Sequence, residues 1–393
     1  MTPTILLTGA TGSLGRELLP RLIRRAPGAE MVLVLRGSDG AEVASRLAEL
    51  RDYLRAYAGA AASGRLEAVR GDVTLPRLGM TPAAYEELAN RVTHIVHAAA
   101  SIGLSQPLTE ARRVNVGGAA ELLALAERCR RLEQFSHVST AYVAGVRSGR
   151  IPECDLDRGQ GFRNAYEQSK FEAETWMRAR MPRLPITVFR PAILLGDSRD
   201  GHTCNFANIY LPLKLVARGL LRDIPGRADA RLDLVPTDYA AEVIAELTIH
   251  PRRRCATYHV TAGMERSVRV RDLLEAVIHR FGRAGGRPLR FLGTGHISPA
   301  TECGADGDAL RADGAPAPPR GSARRGSESL ASFFAYLDGD LEFDDATLRA
   351  DLGASRPEFP PADAYLPNIL AFCEATAWGR DLPWKAQPCK SAA

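Results

Sequence analysis

Tyr166 and Lys170 stand four residues apart in the run Asn164-Ala165-Tyr166-Glu167-Gln168-Ser169-Lys170. In a helix that spacing stacks the two side chains on one face, one turn apart. An ammonium beside a phenol favours the phenolate, so the tyrosine is expected to titrate below its ordinary value of about 10. A phenol tuned in this way exchanges a proton with an oxygen that is being reduced or oxidised. An ordinary solvated helix face shows the same pair, so its meaning depends on the elements around it.

Those elements begin at the N-terminus. Residues 3–8 read as a short buried strand that breaks into Gly9-Ala10-Thr11-Gly12-Ser13-Leu14-Gly15, followed by a helical stretch at 16–25. A strand, a glycine-rich turn and a helix make a phosphate-binding device. The glycines let the backbone approach a pyrophosphate, and the helix start supplies free N–H groups. A second strand, 31–35, ends at Arg36 where an acidic residue would suit ribose hydroxyls. An arginine fork suits a 2′-phosphate instead and favours NADPH over NADH, and Arg46 in the next helix could assist or be a plain surface residue. Asp72, after a strand at 66–70, could accept from an adenine amino group or cap a turn. Strand 94–97 runs into Ala98-Ala99-Ala100, small enough for a dinucleotide to lie close. Asn115 opens a predicted helix at 116–130 as a plain cap, and strand 134–138 ends at Ser139-Thr140.

Strands alternate with helices six times over about 190 residues, and a seventh strand is expected at 257–260. The pattern is that of an α/β fold with a doubly wound parallel (Rossmann) sheet of about seven strands. Residues 1–195, completed by 231–262, are assigned to the dinucleotide-binding domain. Residues 196–230 and 263–393 are assigned to a smaller substrate lobe, with a mobile loop at 298–328, where Ala, Gly, Pro, Ser and Arg dominate.

The chain has 393 residues, 45% hydrophobic and 25% charged, with a net charge of +5. Its basic residues come in short runs, which points away from nucleic acid. Seven scattered cysteines and eight histidines form neither a disulfide framework nor a metal-binding spacing, so no metal is expected, and His94, His97 and His137 read as core or strand-end residues. No apolar run is long enough to span a membrane, and a cytoplasmic location is expected.

Assembled, the motifs TGATGSLG (8–15), GDVTLPRLGM (71–80), HIVHAAA (94–100), HVSTAYVAG (137–145) and NAYEQSKFEAE (164–174) resemble the extended short-chain dehydrogenase/reductase superfamily. Within it the likeness is to the thioester reductase and fatty acyl-CoA reductase (male-sterility type) group, over roughly residues 4–262. The resemblance implies NADP(H) as cofactor and Thr140, Tyr166 and Lys170 as the catalytic residues. Tyr166 would be the proton donor, Lys170 would also hold the nicotinamide ribose, and Thr140, preferred over Ser139, would hold the carbonyl oxygen. It implies that Thr8, Gly9, Thr11, Gly12, Ser13, Leu14, Gly15, Arg36, Arg46, Asp72, Val73, Ala98, Ala99, Ala100, Asn115, Pro191 and Ile193 line the cofactor. The expected reaction is reduction of an acyl thioester to an aldehyde, and possible onward reduction to an alcohol is left open. The acyl group would arrive on coenzyme A or on an acyl or peptidyl carrier protein separate from this chain. The alternative is an extended reductase or epimerase acting on a sugar nucleotide, steroid or polyketide-like ketone or hydroxyl, which would use the same three residues. A cofactor-sensing regulator of the same fold would be expected to lack the Tyr and Lys.

Overall fold

The computed structural model describes residues 2–57, 65–249, 256–282, 288–293 and 330–382. The expected loop at 298–328 lies outside them. In chain order the first half runs β1 (Thr4–Thr8), α1 (Ser13–Arg25), β2 (Glu30–Leu35), α2 (Gly40–Tyr57), β3 (Arg65–Arg70), α3 (Pro82–Arg91), β4 (His94–His97), α4 (Leu108–Arg128) and β5 (Gln134–Val138). Then follow β6 (Gly149–Ile151), α5 (Ala165–Arg178), β7 (Ile186–Pro191), β8 (Ile193–Leu194), α6 (Tyr210–Ala217) and α7 (Thr237–Ile249).

Every residue of β1, β4, β5 and β7 is buried. Strands covered by helices on both faces lose the exposed polar alternation of a half-solvated sheet; β1 and β7 are mainly apolar, while β4 and β5 also bury His94, His97, Gln134, Ser136 and His137. Seven strands pair in parallel, in the order Thr257–Val260, β7, β5, β4, β1, β2, β3. The chain winds outward from β1 in one direction through β2 and β3, and in the other through β4, β5 and β7. The reversal leaves a crevice between the carboxyl ends of β1 and β4, where folds of this kind take their ligands.

The remaining segments pack back on this sheet. Leu341–Phe343 pairs with β6, and Leu234–Val235 pairs with β8. The largest buried cluster is continuous from Ile5 and Leu7 of β1 through Leu213 of α6 to Phe333, Leu348 and Ile369. Glu153 fastens the C-terminal part directly, its carboxylate accepting from the backbone N–H of His259 (3.0 Å), Thr347 (2.6 Å) and Leu348 (3.3 Å).

Candidate active site

Gly9, at the end of β1, has a φ of +75°, and a Cβ there would come within 2.7 Å of the Ala98 carbonyl carbon. Gly15 is tighter still, since its Cβ would lie 2.1 Å from the Gly9 oxygen. Both positions need glycine to let α1 and β4 close on the turn. Gly12 differs: its Cβ would meet only the Gly9 oxygen, at 3.3 Å, and otherwise faces open space. The first backbone bond into α1 runs from Arg16 to Gly12, and no acidic side chain stands in the helix's first turn. The N–H groups at the start of α1 are thus left for an anion, and the turn fits a dinucleotide pyrophosphate.

The turn opens into a cavity of about 530 Å³. Of the residues expected from the sequence, Gly9, Thr11, Gly12, Ser13, Leu14, Gly15, Ala98, Ala100, Thr140, Tyr166, Lys170, Pro191 and Ile193 line it. Thr8 and Ala99 stand just behind, with the Ala99 N–H donating to the Thr8 hydroxyl at 3.3 Å.

Tyr166 and Lys170 lie on α5, whose N-cap Asn164 accepts from the Glu167 N–H at 3.0 Å. Lys170 is 2% exposed, and its ammonium donates to the Val138 carbonyl at 2.7 Å. The expectation of a depressed tyrosine is corrected here. Burial pushes the Tyr166 phenol up to about 12, against the downward pull of a hydrogen bond with Thr140. Lys170 does not offset this, because its ammonium serves the β5 carbonyl and burial lowers it in turn to about 8, with Glu174 opposing. For both groups desolvation is the largest influence.

The two hydroxyls that follow β5 have different partners. Ser139 donates to the buried Glu174 carboxylate at 2.7 Å, and Glu174 is in turn paired with the fully buried Arg190. Thr140 donates to the Pro191 carbonyl at 3.3 Å and is the hydroxyl that reaches Tyr166.

One further expectation, about a helix start, is revised. Asn115 does not open a helix. It sits inside α4, where its amide accepts from Ser101 N–H (2.8 Å) and donates to Ser101 O (3.0 Å) and Ser169 Oγ (2.9 Å). The helix begins seven residues earlier, after Pro107, so Asn115 ties the loop after β4 to the helix that carries Tyr166. Asp72 accepts from the Thr74 N–H at 2.8 Å, the turn-capping arrangement foreseen as its other role. Arg46 pairs with Glu42 one helical turn back at 2.7 Å. Arg36 is exposed at the end of β2, and Val73 is buried against Gly118. These five stand away from the cavity lining.

The cavity also recruits residues that sequence reasoning did not single out: Tyr142, Ile102, Thr203, Cys204, Phe333 and Tyr336. Tyr142 lies inside the HVSTAYVAG motif. Phe333 and Tyr336 follow a segment without periodicity and carried no signal. His97 and His137 are buried beneath the site with their ring centroids 5.4 Å apart, and burial with the nearby Lys170 charge holds both well below the ordinary range. Among the described residues Glu17, Asp197 and His202 lie close enough to share an ion. Their ligand atoms are already committed, Glu17 to Tyr53, His202 and Arg21, and Asp197 to Arg199.

A nicotinamide-type dinucleotide crevice with a Thr-Tyr-Lys cluster at its floor defines a short-chain dehydrogenase/reductase of the extended kind. The chain matches the NAD-binding family model described as male sterility protein over residues 7–244, more than half its length, and it belongs to that family. It is 27% identical over 273 residues to the fatty acyl-CoA reductase wat of Drosophila melanogaster, covering 61% of this chain and 53% of that protein. It is 31% identical over 286 residues to a carboxylic acid reductase of Mycobacterium tuberculosis (strain ATCC 25618 / H37Rv), covering 65% of this chain and 24% of that one. The chain therefore spans about half the length or less of these relatives. The crystal structure of the terminal R domain from the myxalamid PKS-NRPS biosynthetic pathway superposes with a TM-score of 0.75 at 27% identity, covering 98% of this chain and 93% of that one.

Proposed function

We propose that the chain reduces an acyl thioester to an aldehyde with NADPH, the acyl group being presented on coenzyme A or on an acyl or peptidyl carrier protein. The observation that carries this reading is a single cavity in which Thr140, Tyr166 and Lys170 stand beside the glycine turn. The names of the relatives, a fatty acyl-CoA reductase, a carboxylic acid reductase and an R domain, supply the substrate class. When bound, the dinucleotide supplies the hydride.

The chain's own residues divide the remaining work. The glycine turn and the start of α1 hold the pyrophosphate, and Lys170 orients the ribose. Thr140 and the Tyr166 hydroxyl face the carbonyl oxygen and stabilise the charge that develops there. A phenol held at about 12 stays protonated at neutral pH, which suits a donor to a forming alkoxide. Arg36, exposed where β2 ends, would pair with a 2′-phosphate through its guanidinium. The segments 196–230 and 263–393 would supply the acyl side of the cavity, with residues 1–195 and 231–262 forming the dinucleotide domain. No described helix is long and apolar enough to cross a membrane. A cytoplasmic location accords with the four described cysteines all being free thiols.

The test is NADPH oxidation with a panel of acyl-CoA and carrier-bound thioesters, with product identification. Aldehyde and free thiol in equal amounts are expected. Turnover of a ketone or nucleotide sugar, with every thioester inert, would overturn the reading.

A further inference from the structure

Tyr336 is contributed from beyond the dinucleotide-binding half of the chain, yet it touches both sides of the reactive cluster. Its hydroxyl accepts from Asn164 Nδ2 at 2.9 Å and bonds the Glu167 carboxylate. Asn164 is the N-cap of α5, and Glu167 follows Tyr166 directly, so this hydroxyl is seated on the first turn of the helix that holds the proton donor. Glu167 is 0% exposed and is further held by Arg163, through its N–H at 2.9 Å and its guanidinium at 3.3 Å. The Tyr336 ring meets Tyr142 edge-on at 4.8 Å, and Tyr142 lies two residues after Thr140. The Arg163 guanidinium stands over the other part of the ring at 5.4 Å. Tyr336 itself lines the cavity, with Phe333 one helical turn away in the same segment.

We infer that Tyr336 is the acyl-facing wall of the site and the residue that keeps the Thr140 and Tyr166 sides in register, a specificity-determining and positioning role for the segment around 333–336. The inference rests on the acyl-thioester reading and extends it to the side of the cavity opposite the glycine turn. A bound dinucleotide would take the side built by α1 and the ends of β1 and β4, where the glycine turn lies. Tyr142, Phe333 and Tyr336 bring three aromatic rings into the lining, a face suited to a hydrocarbon chain. A ring fixed by two hydrogen bonds, an edge contact and a cation cannot swing aside, so its bulk sets how much acyl group fits.

The test compares wild type with Tyr336→Phe, Tyr336→Ala and Tyr336→Trp. The readouts are kcat and KM on acetyl-, hexanoyl- and dodecanoyl-CoA, with NADPH Kd measured by fluorescence. Tyr336→Ala is expected to raise the dodecanoyl-to-acetyl ratio of kcat/KM at least tenfold, and Tyr336→Trp to lower it. Tyr336→Phe is expected to keep the wild-type ratio while kcat falls at least fivefold, with NADPH Kd unchanged within twofold. A purely structural role would weaken NADPH binding and leave the chain-length ratio alone. Ratios within twofold of wild type in both the Ala and Trp variants would overturn the inference while leaving thioester turnover by wild type standing. If Tyr336→Ala does not fold, Tyr336→Trp decides by itself. A wild type inert to every thioester would instead remove the underlying reading, and the inference with it.

Discussion

Ser139 and Thr140 follow the same strand and have different partners. Ser139 is spent on Glu174, whose buried pairing with Arg190 fixes it. Thr140→Ala should lower kcat about 100-fold, the cost of losing one oxyanion donor, while Thr140→Ser retains most activity. Tyr166→Phe should abolish turnover and leave NADPH affinity within twofold of wild type, read by fluorescence titration. Lys170 adds a pH signature. Its ammonium, held at about 8 by burial, is present below that value and lost above it, so kcat should fall as pH rises through about 8. Its effect on folding has the opposite sign. Between about 8 and its ordinary value the unfolded chain binds the proton and the folded chain does not, so this group adds stability as pH rises across that window. The Tyr-Lys spacing was legible because helical periodicity needs no tertiary information. The raised tyrosine was not, because desolvation depends on what packs over the ring.

At the scale of elements, the turn after β1 separates packing from binding. Gly15→Ala would drive a Cβ into the Gly9 oxygen and should destabilise the fold by about 1–3 kcal/mol, as overpacking does, in addition to impairing the cofactor. Gly12→Ala meets only a 3.3 Å contact and should leave the melting temperature nearly unchanged while raising NADPH Kd. The segment after β8 is pinned by His202, which is 5% exposed and bonds Tyr53 (2.5 Å), Glu17 (2.7 Å) and Asp200 (2.7 Å). Burial opposes its charge, but Asp200 and Glu17 overcome this and raise it to about 9. The stabilisation is therefore complete below the ordinary histidine range and is lost as pH rises through about 9. His202→Ala should cost about 1–3 kcal/mol at pH 7, since Glu17 loses one partner but keeps Arg21 and Tyr53, checked by denaturant unfolding. All seven strands of the sheet were readable: TILLT, EMVLVL and ITVFRP from their apolar runs, and RLEAVR, HIVH, QFSHV and TYHV from short β-branched or aromatic segments between helical stretches. The pairs made by β6 and β8 were not, since two or three residues show no period and their partners lie far along the chain. Asn115 was misread for a related reason: helix α4 continues upstream through Glu110, Arg112 and Arg113, a polar turn that hides its true start.

At the scale of the molecule, the C-terminal third reaches the site only through the fold. Its residues Phe333 and Tyr336 line the cavity, and Glu153 binds its backbone to the sheet. No motif announced this, because such placement rests on long-range packing that has no local pattern. The dinucleotide half was legible because its chemistry is local, with a turn, a strand end and one helix face each contained in a short run. The central claim joins the two halves: a hydride-transfer site whose substrate is an acyl thioester. The most direct measurement incubates the protein with NADPH and dodecanoyl-CoA and quantifies NADPH consumed, free thiol released and aldehyde or alcohol formed, with Tyr166→Phe in parallel. Thioester reduction at this site should give one thiol per aldehyde or alcohol, with one NADPH consumed for an aldehyde or two for an alcohol, and no product from Tyr166→Phe. NADPH binding without thiol release from any acyl thioester, or unchanged turnover in Tyr166→Phe, would contradict it.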